Sequence, residues 1–273
     1  MSAVVIDGGI VHYEAFGRGM PVLFLHGWLG SWRYWMSTME AISDKHRAFA
    51  IDLWGFGDSD KSKDRYRIED YVDLINKFIE NRGMTDTPIT LIGHALGAAV
   101  MLKYATDFPE RVQKMMVVSP PLNTGTINYK LLDPSSNNSV MSKMMRWRQQ
   151  IIPHKEVQSE AEKTGQGAIS SSLASVKALE LEMDIPSRIQ TVAQQGTMVL
   201  AVYGEKDDVI DPALTRGLDG RWQNIRPIGL AESKHFPMLD EATKFQRLLK
   251  DFLEVKDDLS VLELKEEWRR RTR

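Results

Sequence analysis

The run Leu91-Ile92-Gly93-His94-Ala95-Leu96-Gly97-Ala98 decides how the rest of the chain is read. An apolar lead-in reaches two glycines that bracket one central position, and small residues come after. That is the spacing of a Gly-x-Ser-x-Gly elbow, a sharp strand-to-helix turn that lifts one side chain above a sheet. Such a turn runs close to adjacent strands, so its neighbours must be small, and Gly93, Gly97 and Ala98 meet that demand. The central residue is Ala95, which carries neither an oxygen nor a removable proton. The turn is present and its attacking atom is missing. His94 is no replacement, because a neighbouring side chain leaves the elbow in another direction.

Outward from this run, apolar segments alternate between two periods. Val4–Ile6 and Ile10–Tyr13 flank Gly8-Gly9 and read as a hairpin. Pro21–Leu25, Arg47–Ile51, Pro88–Gly93, Val112–Ser119, Thr197–Tyr203 and Trp222–Ile228 read as further strands. The nearly continuous apolar run at Pro21–Leu25 suits a strand covered on both faces. Helices are expected over Trp32–Ile42, Ile68–Arg82, Leu96–Phe108 and about Asp240–Phe252. In the second of these, Tyr71, Leu74, Ile75, Phe78 and Ile79 recur at helical spacing. Repeated strand–helix alternation predicts an α/β fold with a mostly parallel central sheet and helices on both faces.

Between Pro121 and Ala193 the pattern changes to a polar, turn-rich stretch and then helical segments near Val140–Gln150, His154–Lys163 and Ser170–Glu182. This is too long for an ordinary connection. The expected organisation is a core of residues 1–120 and 194–273 with a helical cap at 121–193. Met141, Met144, Met145 and Trp147 either line a binding cavity or pack cap against core, since methionine adapts to irregular surfaces. The final segment, Val255–Arg273, reads as a docked helix with Val261, Leu264 and Trp268 on one face and a solvated basic end. Self-association through that helix stays open.

Bulk properties bound the function. The 273 residues, 42% hydrophobic, suffice for one substantial core. A formal net charge of −2 gives no reason to expect a nucleic-acid partner. The absence of cysteine removes disulfides, thiol nucleophiles and thiolate metal sites together. No apolar run approaches the roughly 18–20 residues needed to span a bilayer, and the N-terminal residues lack a secretory pattern, so a cytoplasmic location is expected. No histidine–carboxylate spacing makes a persuasive metal centre. The glycines at 93 and 97 do not form a Gly-x-Gly-x-x-Gly fingerprint, so neither metal nor nucleotide cofactor is expected.

Four motifs in one order, His26-Gly27-Trp28, Gly93–Gly97, Gly204-Glu205-Lys206-Asp207 and His235-Phe236-Pro237, resemble the α/β-hydrolase superfamily in its helical-cap, serine-hydrolase branch. The resemblance runs from the first hairpin to about Leu253. It implies Ala95 at the usual nucleophile position, Asp207 as the acid and His235 as the general base, with Asp208 and Asp211 as rival acids. It also implies an oxyanion hole from the backbone amides of Trp28 and Leu96, the latter at a helix N-terminus. His26 and Gly27 shape the turn presenting Trp28; they and Phe236 are candidate pocket residues, and Trp28, Trp32 and Trp35 are candidate pocket walls, the last two reading first as packing. The aspartates of Asp52–Ser59 read as partners of loop amides, and Ser59 and Ser119 lack an elbow of their own.

Three accounts fit an alanine in this setting. One is a deliberate serine-to-alanine exchange in an enzyme that hydrolyses an ester-like bond in a small, partly hydrophobic organic substrate, leaving it inactive. Another is natural loss, leaving a ligand-binding or interaction protein. The third is lyase, cyclase or cofactor-free oxygenase chemistry by the His235–Asp207 pair alone. Ala95 also differs from the aspartate that haloalkane dehalogenases and epoxide hydrolases of this superfamily carry at the elbow.

Overall fold

The computed structural model describes residues 2–61, 65–122, 154–155, 159–160, 163–164 and 185–264. β1 (Ser2–Ile6) and β2 (Gly9–Phe16) pair antiparallel with Ile6 opposite Gly9. The turn between them is Asp7-Gly8, one residue earlier than the Gly8-Gly9 expected. Both residues have positive φ, 47° and 70°, as a two-residue hairpin turn of this hand requires. β3 (Met20–Leu25), β4 (His46–Ile51), β5 (Ile89–His94), β6 (Val112–Val118), β7 (Met198–Gly204) and β8 (Ile225–Leu230) complete one sheet of order β1-β2-β4-β3-β5-β6-β7-β8. β1, β2 and β4 pair antiparallel and all remaining neighbours pair parallel.

Each central strand is buried on both sides, which explains its nearly unbroken apolar sequence. Leu23, Leu25, Leu91, Met115, Val117 and Val199 face one layer, built with α2 (Ile68–Asn81) and α3 (Leu96–Asp107). Val22, Phe24, Ile92, Met116, Val118 and Leu200 face the other, built with α1 (Met36–Ile42) and the long helix near the C-terminal end. All five apolar residues picked out by helical spacing on α2 are buried. Trp35 is wholly buried between Phe24 and Phe245, a core residue as expected.

Several boundaries differ from expectation for local reasons. The predicted helix over Trp32–Ile42 divides into a 3-10 turn at Trp32–Trp35, capped by the Ser31 hydroxyl, and then α1. α4 (Ile185–Gln194) falls inside the stretch assigned to the cap. Yet its Ile189, Val192 and Ala193 are buried in the same layer as α2 and α3, so the core resumes before residue 193. After β7 come α5 (Ala213–Arg216), α6 (Pro237–Asp240) and α7 (Ala242–Glu254); Glu241, at φ −123° and ψ 51°, separates the last two.

The expected helix beginning at Val255 is corrected. Val255 is extended, and the next element is a 3-10 turn, Leu259–Val261, capped by the Asp258 side chain. Leu259 and Leu262 are buried while Val261 is 68% exposed, so Val261 is not on the docked face. A three-residue spacing puts Leu259 and Leu262 on one side of a 3-10 turn. Trp268 and the terminal arginines lie outside the described residues, as do Met141, Met144, Met145 and Trp147. Among the described residues, no helix is long and apolar enough to cross a membrane.

One buried charge fastens α7 to the sheet. Lys114 of β6 is 4% exposed, and its ammonium donates to the carbonyl oxygens of Phe252 at 3.2 Å and Leu253 at 2.9 Å, and to that of Val255. These carbonyls lie at the end of α7, where a helix leaves acceptors without partners and favours positive charge. Burial lowers the Lys114 pKa, so the ammonium depends on those acceptors. Lys114→Ala should therefore cost roughly 2–3 kcal/mol of stability, because the carbonyls lose a charged donor. Urea unfolding of the two proteins checks this; an unchanged midpoint would mean the carbonyls find other donors.

Candidate active site

The turn between β5 and α3 is set by Ala95, at φ 47° and ψ −110°. This conformation is sparsely populated for a residue with a Cβ and costs on the order of 1–3 kcal/mol. It is held from both sides: the Ala95 N–H donates to Val118 O at 2.9 Å, and its carbonyl accepts from Ala99 N at 3.1 Å. Close approach accounts for the flanking glycines. A Cβ on Gly97 would lie 2.6 Å from Leu25 O and 2.7 Å from His26 O; one on Gly93 would lie 2.6 Å from Met101 Sδ.

Asp207 comes after the end of β7 and His235 precedes α6. Their side chains meet, His235 Nδ1 to Asp207 Oδ2, at 3.0 Å. The other carboxylate oxygen accepts the amides of Val209 at 2.9 Å and Ile210 at 3.0 Å. Burial by itself would raise the Asp207 pKa; the adjacent His235 and the bonds from His235, Ile210 and Val209 outweigh it, and the carboxyl is held below its usual range. Asp211 is exposed and caps the amide of Ala213 at 2.9 Å, and Asp208 is exposed. Of the three carboxylates, Asp207 is the one bonded to His235.

The His26–Gly30 turn leaves the end of β3 beside Ala95. It is closed by Gly30 N to Gly27 O at 3.1 Å and passes through Leu29 at φ 58°. A Cβ on Gly27 would lie 3.3 Å from Ala95 Cβ, so the two stretches touch. His26 is fully buried and bonded to backbone on both edges. Leu53 N–H donates to its Nε2 at 3.0 Å, and its Nδ1 donates to Gly27 O at 2.7 Å. Burial pushes its pKa down, in keeping with a neutral ring. His26 thus shapes the turn and is not a pocket wall. Trp28 is half-buried against the α2–α3 layer, and Leu96 is the first residue of α3, where amides have no intrahelical partner.

Other candidates are placed differently. Trp32 turns toward β2, its ring 6.1 Å from His12 and 6.5 Å from Phe16, with the Arg33 guanidinium 5.1 Å above it. Phe236 is 5% exposed and packs 5.1 Å from the His235 ring and 5.7 Å from Tyr34. Ser59 is a loop fastener: its hydroxyl donates to Asp52 O at 2.6 Å and accepts His12 N at 2.9 Å. Ser119 follows β6 at φ 45°, its amide bonded to Val202 O at 2.8 Å.

Asp52 accepts loop amides as expected, from Trp32 N at 2.7 Å and Asp58 N at 2.9 Å. It also meets His12 Nδ1 at 2.9 Å. His12, Asp52 and Asp58 are the three ligating groups that converge among the described residues. Both Asp52 oxygens already accept hydrogen bonds, and Arg33 holds Asp58 Oδ2 at 2.9 Å, so the set suits a loop brace. Two residues of the inserted stretch gain roles that no sequence motif marks. Glu160, 1% exposed, lies 2.8 Å from Lys163 Nζ and 3.4 Å from Arg33 Nη1. His154 bonds Asp240 at 2.8 Å, and Asp240 in turn accepts the amide of Lys234, next to His235. Each acquires meaning only from a distant partner, which local spacing does not reveal.

The chain belongs to the alpha/beta hydrolase fold family, whose family model matches residues 20–167, more than half of its length. It is 28% identical over 114 residues to a soluble epoxide hydrolase of Corynebacterium sp., covering 42% of this chain and 39% of that protein. It is 24% identical over 270 residues to the dihydrolipoyllysine-residue acetyltransferase component of the acetoin cleaving system of Cupriavidus necator, covering 91% of this chain and 67% of that protein. The matched regions of several curated relatives span between about a third and two fifths of their length. Among solved structures, the enol-lactonase from Burkholderia xenovorans LB400 superimposes with a TM-score of 0.78 at 15% identity, covering 93% of this chain and 100% of that one. That likeness is one of fold.

A second histidine, His94, sits at the end of β5 beside this pair, and burial, then the nearby His235, lowers its pKa from 6.5 to about 3. The folded protein therefore keeps His94 neutral where the unfolded chain takes up a proton. Between these two values the unfolded state binds more protons, so stability falls as pH falls, by up to about 1.4 kcal/mol per pH unit. Above the unfolded value the effect vanishes. His94→Gln, which cannot titrate, should show a shallower loss of stability from pH 6.5 toward 4, as measured by urea unfolding across that range. Parallel slopes would contradict a buried neutral ring.

Proposed function

We propose that this chain carries the site of an ester-directed serine hydrolase from which the nucleophile is missing. The observation that carries the reading is the conjunction at one place: Ala95 in the strained elbow conformation, and the Asp207–His235 pair closed at 3.0 Å. The strain has no local benefit to an alanine, whereas it would lift a serine hydroxyl above the strand ends. Supporting this is membership of a family whose relatives include hydrolases of small organic molecules.

With serine at position 95, the hydroxyl oxygen would attack an ester-like carbonyl while His235 took its proton. Asp207 would hold the ring by its Nδ1–H and stabilise the imidazolium. The amides of Trp28 and Leu96 would receive the negative charge developing on the carbonyl oxygen, Leu96 aided by the N-terminal end of α3. Collapse would expel the alcohol, protonated by His235, and leave an acyl-enzyme. Water, deprotonated by His235, would then release the acid and restore the serine. With Ala95 no acyl-enzyme forms, and the site binds a small, partly hydrophobic ester-like molecule without cleaving it. The pair's integrity also favours a second reading, in which His235 abstracts a substrate proton directly and no covalent intermediate arises.

The test compares the chain with its Ala95→Ser variant on short- and medium-chain esters, thioesters and lactones. Turnover should rise by about three orders of magnitude or more with serine, show a burst, and vanish again on His235→Ala. Robust turnover by the alanine form, lost on His235→Ala, would establish the second reading instead. Binding without turnover in both would reduce the site to ligand capture.

A further inference from the structure

His94 is polar, wholly enclosed and unused by the chemistry just proposed. Its Nε2 lies 2.8 Å from the carbonyl oxygen of His235, a residue 141 positions away. A carbonyl only accepts, so Nε2 carries the ring proton and Nδ1 presents a lone pair. That Nδ1 is buried without a hydrogen-bond partner among the described residues. It points at the other functional turn: a Cβ on Gly27 would lie 2.7 Å from it. The ring centroid is 4.7 Å from that of His235 and 5.0 Å from that of Phe236. One imidazole therefore touches both the turn that carries His235 and the turn that leads into Trp28.

We infer that His94 is a positioning residue for the Asp207–His235 pair, its Nε2–H gripping the His235 carbonyl while its opposite edge rests on Gly27. The ring fixes the spacing between the base and the turn that would supply an oxyanion amide, which spacing along the chain cannot do. This rests on the roles proposed for His235 and the Gly27–Trp28 turn. Histidine suits the place because it donates a hydrogen bond without a charge. A lysine there would put a cation within about 5 Å of a ring that must itself become cationic during base catalysis, and like charges at that range oppose each other. A hydrophobic residue would fill the volume and leave the His235 carbonyl ungripped. Glutamine can place an amide N–H close to the position of Nε2, so it keeps the grip and gives a conservative control.

The test begins on the chain as it stands, with alanine at 95, and reads the low-field proton resonance of His235 Nδ1–H in its bond to Asp207. Loss of the signal in His235→Gln assigns it. His94→Leu should shift or broaden the resonance, and His94→Gln should restore it. Gly27→Ala, which presses on Nδ1 and reaches His235 through the His94 ring, should shift it in turn, and decides the matter if His94→Leu does not fold. In the Ala95→Ser background, His94→Leu should lower kcat by about 10–100-fold, the scale of a small misplacement of a catalytic group, with His94→Gln within about threefold of the parent. An unmoved resonance in folded His94→Leu, or in Gly27→Ala where His94→Leu fails to fold, would overturn the inference. If Ala95→Ser shows no turnover at all, the hydrolase reading fails and the resonance still decides the positioning role.

Discussion

The backbone reversal at Ala95 is the constraint around which this end of the molecule is arranged. A residue with a Cβ stays at φ 47° and ψ −110° only where its surroundings leave it no alternative. Those surroundings are visible on three strands. β6 takes the Ala95 amide through Val118 O, β5 delivers the chain through Gly93, and the end of β3 presses two carbonyls against Gly97. The local cost is met by the packing of the two apolar layers, which fix where the strands end. The turn therefore does not depend on the chemistry of the side chain it presents.

Four enclosed ionisable side chains meet burial under different terms, each through hydrogen bonds to groups suited to its charge. Asp207 stays ionised in a buried place because it receives two amides and faces His235. His26 and His94 go the other way: both are pushed toward neutrality by burial, and both serve as neutral clips for backbone. Lys114 keeps its ammonium against carbonyls at the end of α7. An unpaired buried charge is costly, and each arrangement avoids one through hydrogen bonds to groups fixed by the fold.

A second brace lies on the β2 side. Asp52 links His12, the Trp32 amide and the Asp58 amide, while Arg33 connects Asp58 to the buried Glu160 of the inserted stretch. The loop after β3, the loop after β4 and part of the insertion are thereby tied by charged groups. Trp32, whose sequence reading allows either packing or a pocket wall, packs beside this brace, and Ser59, which has no elbow of its own, fastens it.

Sequence by itself determined the sheet and its two layers, because strand period, helix period and glycine spacing are local properties that burial then enforces. Tyr71 through Ile79 and the run Leu91–Ala98 needed no partner to be read. Through the resemblance of its motifs to those of α/β-hydrolases, it also ranked Asp207 and His235 first. What it could not determine was whatever depends on two distant segments meeting. Tertiary structure decided between Asp207, Asp208 and Asp211, since carboxylates so near in sequence differ only in which one faces His235. It assigned α4 to the core, because an amphipathic helix shows that it has a buried face but not which neighbour covers it. It ended the helical reading at Val255 through a cap and two buried leucines, and it turned His94 from a bystander into a contact between two turns. Hydrogen bonds across 141 residues leave no periodicity to read, and only the folded chain brings their ends together.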